Sequence, residues 1–142
     1  MDTIRQCGSC GAMEMTFGEK DLSADYKGKN ITIPAVRGWH CNACGEAEFA
    51  RQEDAEQYSQ AVAAAMQAED DRVRHFIRAA RKRLGLKQSE AASLFGGGVN
   101  AFSEYERGVR QPGKAILVLL ELLLKHPDLL SEIRSASHPL AV

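Results

Sequence analysis

The sequence predicts a two-domain α+β protein, in which a small antiparallel sheet and a helix precede an all-α domain of about five helices. Two observations divide the 142 residues in this way. Alternating apolar residues and all four cysteines lie ahead of residue 45, whereas apolar residues recur at helical spacing from residue 51 onward. The charge also changes sign, from a net −5 over residues 1–69 to a net +4 over residues 70–142. We therefore expect one domain at 1–69 and another at 70–142.

The four cysteines form two copies of one local design, Cys-x-x-Cys-Gly. Cys7 and Cys10 make the first pair, and Cys41 and Cys44 make the second. Each pair places two thiolates at a tight turn, and the glycine that follows permits the positive φ that such a turn tends to need. A domain of about 60 residues buries little core and usually needs a metal or a disulfide. Two such turns supply the four soft ligands of a closed tetrahedral site, so we expect one structural zinc ion per chain in a zinc-ribbon-like domain.

Other uses of these cysteines fit the pattern less well. A redox dithiol needs one motif at a helix N-terminus rather than two matched turns. Catalytic zinc needs an open coordination position, which four thiolates do not leave. His40, beside Cys41, is a further candidate ligand, with packing or exposure as the alternative. Residues 1–6 lack the apolar core of a signal peptide, and the apolar run 116–124 is too short to span a bilayer. We therefore expect a cytoplasmic protein without membrane contact, in which paired cysteines hold a metal.

The segment between the cysteine pairs predicts strands. Met13, Met15 and Phe17 alternate with other residues, and so do Ile31 and Ile33. The polar stretch between these two runs offers a turn. A short antiparallel sheet with the zinc site at one end accounts for both features.

Helical spacing begins near residue 51 and continues to about residue 67. The acidic residues 69–71 then mark the boundary, either as a flexible linker or as the start of a second helix with Asp70 or Asp71 as N-cap. The second helix is expected to end at Gly85. Its many arginines form a solvated face or contact phosphates. The basic half therefore indicates DNA as its partner, and the acidic half indicates a basic partner.

Residues 87–108 predict two short helices joined by a glycine-rich turn. The first runs from residue 87 to 95, and in the second Val99, Phe102 and Tyr105 are expected to face inward. Two such helices make a helix-turn-helix, whose second helix enters the DNA major groove. Asn100, early in that helix, can bond an adenine edge at two atoms. The candidate DNA contacts are Lys87, Gln88, Asn100, Ser103, Glu104 and Arg107.

Residues 114–125 predict a helix whose apolar side chains extend most of the way round. A helix of this kind must be buried on more than one side, and a domain of this size has too little surface of its own to cover it. We therefore expect a homodimer interface there. Pro127 is expected at the first position of a last helix.

These segments resemble the MqsA (YgiT-type) antitoxins, and residues 88–108 resemble the Cro/repressor-type helix-turn-helix. The resemblance covers roughly residues 7–134. It rests on Gln88-x-x-Ala91, on Glu106-x-Gly108, on the Gly-Gly-Gly-Val-Asn-Ala-Phe-Ser string at 96–103, on the His-Pro motif at 126–127, and on the order of the cysteine pairs, sheet and helices.

The resemblance implies a type II antitoxin. Its N-terminal zinc domain would neutralise a basic ribonuclease toxin, and its C-terminal domain would dimerise and repress its own operon at palindromic DNA. It also implies that the four cysteines are the zinc ligands and that Asn100 reads a base. The family's next base contact is an arginine where this chain has Glu104, so the family's operator sequence does not transfer.

Two other functions remain at this stage. One is a stand-alone zinc-containing transcription regulator without a toxin, because toxin contacts would carry no recognisable motif. The other is an enzyme, which the sequence disfavours. It holds no nucleophile–base pair or open metal site, and its glycine run 96–98 lacks the Gly-Lys-Ser/Thr of a phosphate-binding loop.

Overall fold

The computed structural model describes residues 4–136, and within that range three strands precede five helices. This confirms the predicted fold class, a small antiparallel sheet followed by helices. The chain divides into two units, Met1–Glu69 and Asp70–Val142. The elements are β1 (Met15–Tyr26), β2 (Lys29–Cys41), β3 (Ala47–Glu48), α1 (Gln52–Arg83), α2 (Gln88–Phe95), α3 (Ala101–Arg107), α4 (Lys114–Lys125) and α5 (Leu129–Ser135).

The sheet is antiparallel, with the strand order β1-β2-β3. Lys27 and Gly28 join β1 to β2 with φ angles of 53° and 76°, the backbone of the two-residue turn that matches strand twist. Met13 lies outside β1 and is 62% exposed, so the predicted alternation begins only at Met15. A register shift between Lys20 and Leu22 bends the hairpin.

One face of the hairpin forms the apolar core of the first unit. Ile31, Ile33 and Val36 are buried there against α1, which contributes Tyr58 and Val62. The opposite face carries alternate β1 side chains that are exposed. The unit therefore has one sheet face covered by α1 and an opposite, uncovered sheet face, of which only the end at Met15 and Cys41 is buried.

Helix α1 is longer than the sequence indicated. Residues 69–71 lie inside it, so they form neither a linker nor a helix start with Asp70 or Asp71 as N-cap. The physical reason is that residues 52–83 contain no glycine or proline to end the helix. Acidic residues alone were therefore a weak signal for a break in the helix, although the two units do divide between Glu69 and Asp70.

Helix α5 begins later than predicted. Pro127 and Asp128 form a turn in which the Leu130 N–H donates to the Pro127 carbonyl at 3.2 Å, and the helix starts at Leu129. Proline therefore stands ahead of the N-cap Asp128 rather than at the first helical position.

The second unit has one apolar core. Ile77, Phe102 and Leu120 are fully buried in it, so α1, α3 and α4 all contribute to the same cluster. Helix α4 buries only part of its apolar surface there, and Val118 and Leu122 are 44% and 46% exposed. Between residues 4 and 136, no helix combines the length and apolar character that a bilayer crossing demands.

Candidate functional site

The four cysteines converge at the end of the sheet. Their sulfur atoms all lie within 4.8 Å of one another. The Sγ atoms of Cys7 and Cys44 are 3.7 Å apart, as are those of Cys10 and Cys41. A tetrahedron with metal–sulfur bonds of about 2.3 Å has edges of about 3.8 Å, so this cluster has the dimensions of a four-thiolate metal site.

The two cysteine turns have the same backbone. Gly11 and Gly45 have φ angles of 77° and 79°, as predicted for the glycine after each pair. The Gly11 N–H donates to the Cys7 carbonyl and the Gly45 N–H to the Cys41 carbonyl, both at 3.0 Å. A side chain at either glycine would strain this left-handed backbone. The glycines therefore allow each pair to present two sulfur atoms to a common centre.

The thiols influence each other's ionisation. The backbone N–H of Cys44 lowers the pKa of the Cys41 thiol to about 7, against the effect of burial. The backbone N–H of Glu46 lowers the pKa of Cys44, but the neighbouring sulfur atoms, that of Cys10 first, and burial together outweigh it and raise this pKa to about 12. Four sulfur atoms this close cannot all be ionised unless a cation balances their charge. The donor set therefore fits a soft, divalent metal ion.

Ion pairs and hydrogen bonds stabilise the segments around the cysteine cluster. Arg5 pairs with Glu48 in β3 and lies 4.5 Å above the Trp39 ring, and Ser9 donates to Glu46 at 3.1 Å. His40 is buried, and its Nε2 donates to the Val36 carbonyl at 2.9 Å. His40 is therefore a packed residue and is not part of the cluster of candidate metal ligands.

Glycines shape the turn between α2 and α3. Gly96, Gly97 and Gly98 all have positive φ angles, between 82° and 97°. A Cβ atom on Gly97 would lie 2.9 Å from both the Tyr105 hydroxyl and an Arg110 nitrogen. Glycine at this position therefore lets the turn approach α3 closely.

The exposed face of the helix-turn-helix differs from the prediction at one residue. Val99 is 77% exposed rather than inward, because it precedes α3 and lies in the turn. Ala101, Phe102 and Tyr105 supply the buried face instead. Asn100 is the N-cap residue of α3 and is exposed. Its side chain makes no capping hydrogen bond.

The other candidate DNA contacts fall into two groups. Lys87, Gln88 and Arg107 are exposed, whereas Ser103 and Glu104 are half-buried. Arg107 Nε donates to the Ser103 hydroxyl at 3.3 Å. Glu104 is paired with Arg110 at 3.2 Å, a residue that the sequence analysis did not single out.

A buried ion pair, also missed from the sequence, holds α3 in place. Arg81 donates from Nε and Nη2 to the two carboxylate oxygens of Glu106, at 2.5 and 3.0 Å. Arg81 Nη1 also donates to the Leu86 carbonyl at 2.9 Å, and Gln88 Nε2 donates to Glu106 at 3.0 Å. The side chains of Arg81 and Glu106 are only 11% and 6% exposed. This network joins α1, the start of α2 and the end of α3.

Comparisons with a family model, with curated proteins and with solved structures all relate this chain to one kind of protein. The family described as the antitoxin component of the bacterial toxin–antitoxin system, MqsA, matches residues 5–134. Antitoxin MqsA of Escherichia coli (strain K12) is 38% identical over 130 residues, which make up 91% of this chain and 99% of that protein. The solved N-terminal domain of the E. coli protein MqsA matches with a TM-score of 0.42 and 23% identity, covering 46% of this chain and 97% of that one. The sequence likeness therefore includes both the cysteine cluster and the helix-turn-helix.

Proposed function

Because the chain belongs to the MqsA antitoxin family, we propose that it neutralises a cognate ribonuclease toxin through its N-terminal unit and represses its own operon through its C-terminal unit. The observation that carries this proposal is the family match along residues 5–134, which spans both units. The chain is then a binding protein rather than an enzyme. Cysteines in matched pairs that suit a metal site also favour the cytoplasm as its compartment.

The test is co-purification with the protein encoded beside it, followed by an RNA-cleavage assay. We expect the partner alone to cleave RNA and an equimolar amount of this chain to suppress cleavage. A chain that binds DNA specifically but finds no such partner would instead be a stand-alone zinc-containing regulator. That alternative shares the metal site and the DNA-binding element, so the cleavage assay separates the two.

We assign zinc to the sulfur cluster, with Cys7, Cys10, Cys41 and Cys44 as its ligands. Sulfur–sulfur distances of 3.7 Å support this assignment, because they suit the bond length of zinc to thiolate. Such an ion balances the thiolate charge and cross-links the two turns. It serves the fold, since four thiolates leave no position for a reacting water.

The proposed DNA-binding surface is the exposed side of α3 with the start of α2. Asn100, Ser103, Glu104 and Arg107 lie on the first, and Lys87 and Gln88 on the second. A palindromic operator calls for a dimer. The exposed apolar residues Val118 and Leu122, one turn apart on α4, support a homodimer contact on that helix.

Replacing Asn100 by Ala should reduce sequence discrimination. An asparagine bidentate to adenine contributes about 1–3 kcal/mol of discrimination, so we expect a loss of about 5- to 150-fold in specific over non-specific affinity. The readout is competitive binding of the full chain to its operator and to scrambled duplex. Ser93→Ala, at an exposed position of α2, is the control. Unchanged discrimination in Asn100→Ala would remove this residue from base reading.

The uncovered sheet face is the proposed toxin contact. Glu19, Asp21 and Asp25 are exposed at alternate positions of β1, opposite to the face that packs on α1. Phe17 is 44% exposed at the same face. An acidic surface with an aromatic residue suits a basic protein partner, since complementary charge speeds association and aromatic residues anchor interfaces.

Neutralising this face should weaken toxin binding. Asp21 accepts from the Ala35 N–H at 2.9 Å and Asp25 from the Gly28 N–H at 3.2 Å, so Asn at both positions keeps these bonds and removes only charge. We expect Glu19→Gln with Asp21→Asn and Asp25→Asn to lower toxin affinity about tenfold, mostly through a slower, less salt-dependent association.

The matched control for this triple variant removes three exposed carboxylates elsewhere in the first unit, by Glu14→Gln with Glu53→Gln and Glu56→Gln. Surface plasmon resonance at two salt concentrations measures both association rates. Equal losses in the two triple variants would show a general charge effect and place the toxin contact elsewhere.

A further inference from the structure

Arg110 lies just beyond α3, and its backbone is anchored on that helix. Gly108 ends the helix in the left-handed conformation, with a φ angle of 74°. The N–H groups of Val109 and Arg110 then both donate to the Glu104 carbonyl, at 3.0 and 3.4 Å. This cap turns the chain back toward α3. The Arg110 side chain therefore starts from a fixed point beside the helix.

The Arg110 guanidinium is held by three further groups. Its Nη2 donates to the Gly97 carbonyl at 2.6 Å and to the Tyr105 hydroxyl at 3.1 Å. Its Nη1 lies 3.2 Å from Glu104 Oε2, and the group stands 5.0 Å from the centre of the Tyr105 ring. The side chain nevertheless remains 44% exposed. The protein therefore fixes this cation and keeps part of it open to solvent.

The position of this cation connects it to the DNA-binding surface. Gly97 belongs to the turn before α3, and Glu104 and Tyr105 belong to α3 itself. Asn100, the proposed base-reading residue, lies between these elements in the chain. On the premise that this helix-turn-helix binds DNA, we propose that Arg110 binds a DNA phosphate and that Glu104 positions it.

The hydrogen-bond geometry favours phosphate over a base edge. A guanidinium has five N–H donors, and it offers two-donor edges that pair Nη2 with either Nη1 or Nε. Both Nη2 donors are already engaged, by Gly97 and Tyr105. No complete edge is left for the two-point contact that recognises guanine, whereas one free donor is enough for a phosphate oxygen.

The same geometry changes the role of Glu104. A carboxylate alone on a DNA-facing helix would repel phosphates or accept from cytosine N4. Here one of its oxygens is paired with Arg110. Glu104 is therefore a positioning residue for a cation, and base reading on α3 rests on Asn100.

The test compares full-length, zinc-loaded variants on DNA selected by the parent chain from a randomised duplex library. We expect Arg110→Ala to lower affinity about tenfold, because it removes a charge-assisted hydrogen bond. The slope of log affinity against log salt should fall by about 0.9 per chain, and the selected sequence should not change. Arg110→Lys should keep most of the slope, since it keeps the charge.

Two further variants serve as controls. Arg134→Ala removes an arginine of similar exposure, 49%, that is also paired with a carboxylate, Glu90, and should leave the salt slope unchanged. Glu104→Gln should select the same sequence as the parent. The loss caused by Arg110→Ala should also be smaller in the Glu104→Gln background, because no bare carboxylate then faces the DNA.

Three results would overturn the proposal. The first is an Arg110→Ala variant with the salt slope of the parent. The second is a changed sequence preference in Arg110→Ala, which would make it a base-reading residue. The third is a changed preference in Glu104→Gln, which would make the carboxylate the reader. A parent chain that selects no duplex at all would instead contradict DNA binding itself, and with it this role of Arg110.

Discussion

Removal of the proposed zinc ion is expected to unfold the N-terminal unit and to leave the C-terminal unit folded. The reason is the size of the zinc-binding free energy relative to the stability of a small domain. Structural zinc contributes about 10–16 kcal/mol of apparent binding free energy in small domains, which matches or exceeds the roughly 5–15 kcal/mol that holds a native domain together. The first unit adds only small apolar clusters, one around the cysteines and one between the hairpin and α1. The C-terminal cluster contains no ligand cysteine.

Trp39 reports this transition directly. It is the single tryptophan of the chain and packs against Cys7, Met15 and Cys41. A chelator, or the substitution Cys41→Ser, should therefore expose it and shift its emission to longer wavelength. Added zinc should restore the chelated protein but not the variant, and magnesium should restore neither, because hard cations prefer oxygen ligands.

Amide hydrogen exchange separates the two units in the same experiment. We expect protection to disappear from β1 and β2 after chelation and to persist in α2, α3 and α4. Loss of protection in all of these elements would contradict independent units. An unshifted Trp39 emission in metal-free protein would contradict a zinc-dependent fold.

Local sequence features predicted the convergence of the four cysteines and the two short helices joined by a glycine-rich turn. The glycine after each cysteine pair has the positive φ angle that the turn was predicted to need, and the run Gly96 to Gly98 forms the predicted break between α2 and α3. Each of these features is encoded within a few residues. Short-range backbone constraints of this kind do not depend on the rest of the fold.

The errors arose where local signals were weak. Residues 69–71 are acidic but contain no helix breaker, and α1 continues through them. Val99 has the apolar character of a core residue, yet the turn ends one residue after it and leaves it exposed. Apolar spacing predicts a buried face only after the first helical residue is known, and helix ends are the least certain part of such a prediction.

The long-range ion pairs had no local signal at all. Arg81 and Glu106 are 25 residues apart in sequence, and both stand in patterns that read as ordinary polar helix faces. Arg110 lies in a short connection between helices, and no sequence pattern there predicts its contact with Glu104. Charged pairs of this kind depend on the tertiary fold, so periodicity does not reveal them.

Breaking the Arg81–Glu106 pair should strongly destabilise the C-terminal unit. Removal of one partner leaves the other charge buried without compensation, which costs about 3–5 kcal/mol. Glu106→Ala also leaves the Gln88 amide without its acceptor. Hydrogen exchange of the α2 and α3 amides in the full-length, zinc-loaded chain measures the loss, because it reports local opening in a protein of two units. Glu90→Ala, which breaks the exposed pair with Arg134, is the matched control and should cost less than about 1 kcal/mol.

The pH dependence of this pair has a definite sign. Burial raises the pKa of Glu106, but the hydrogen bonds from Arg81 and Gln88 outweigh it and hold the pKa below its ordinary value of 4.5. The native state then binds fewer protons at Glu106 than the unfolded state does. The stabilisation that ionised Glu106 contributes is therefore complete above about pH 4.5 and is lost as pH falls through the lower pKa of the native state.

A double replacement separates the charge from the packing. Arg81→Met with Glu106→Leu removes both charges and keeps apolar volume, so we expect stability within about 1 kcal/mol of the parent and no acid-dependent loss from this site. The matched single variant Glu106→Ala should be much less stable than the double variant. A double variant as unstable as Glu106→Ala would contradict a stabilising ion pair. The end of α3 would then be held by the hydrogen bonds from Arg81 to the Leu86 carbonyl and from Gln88 to Glu106.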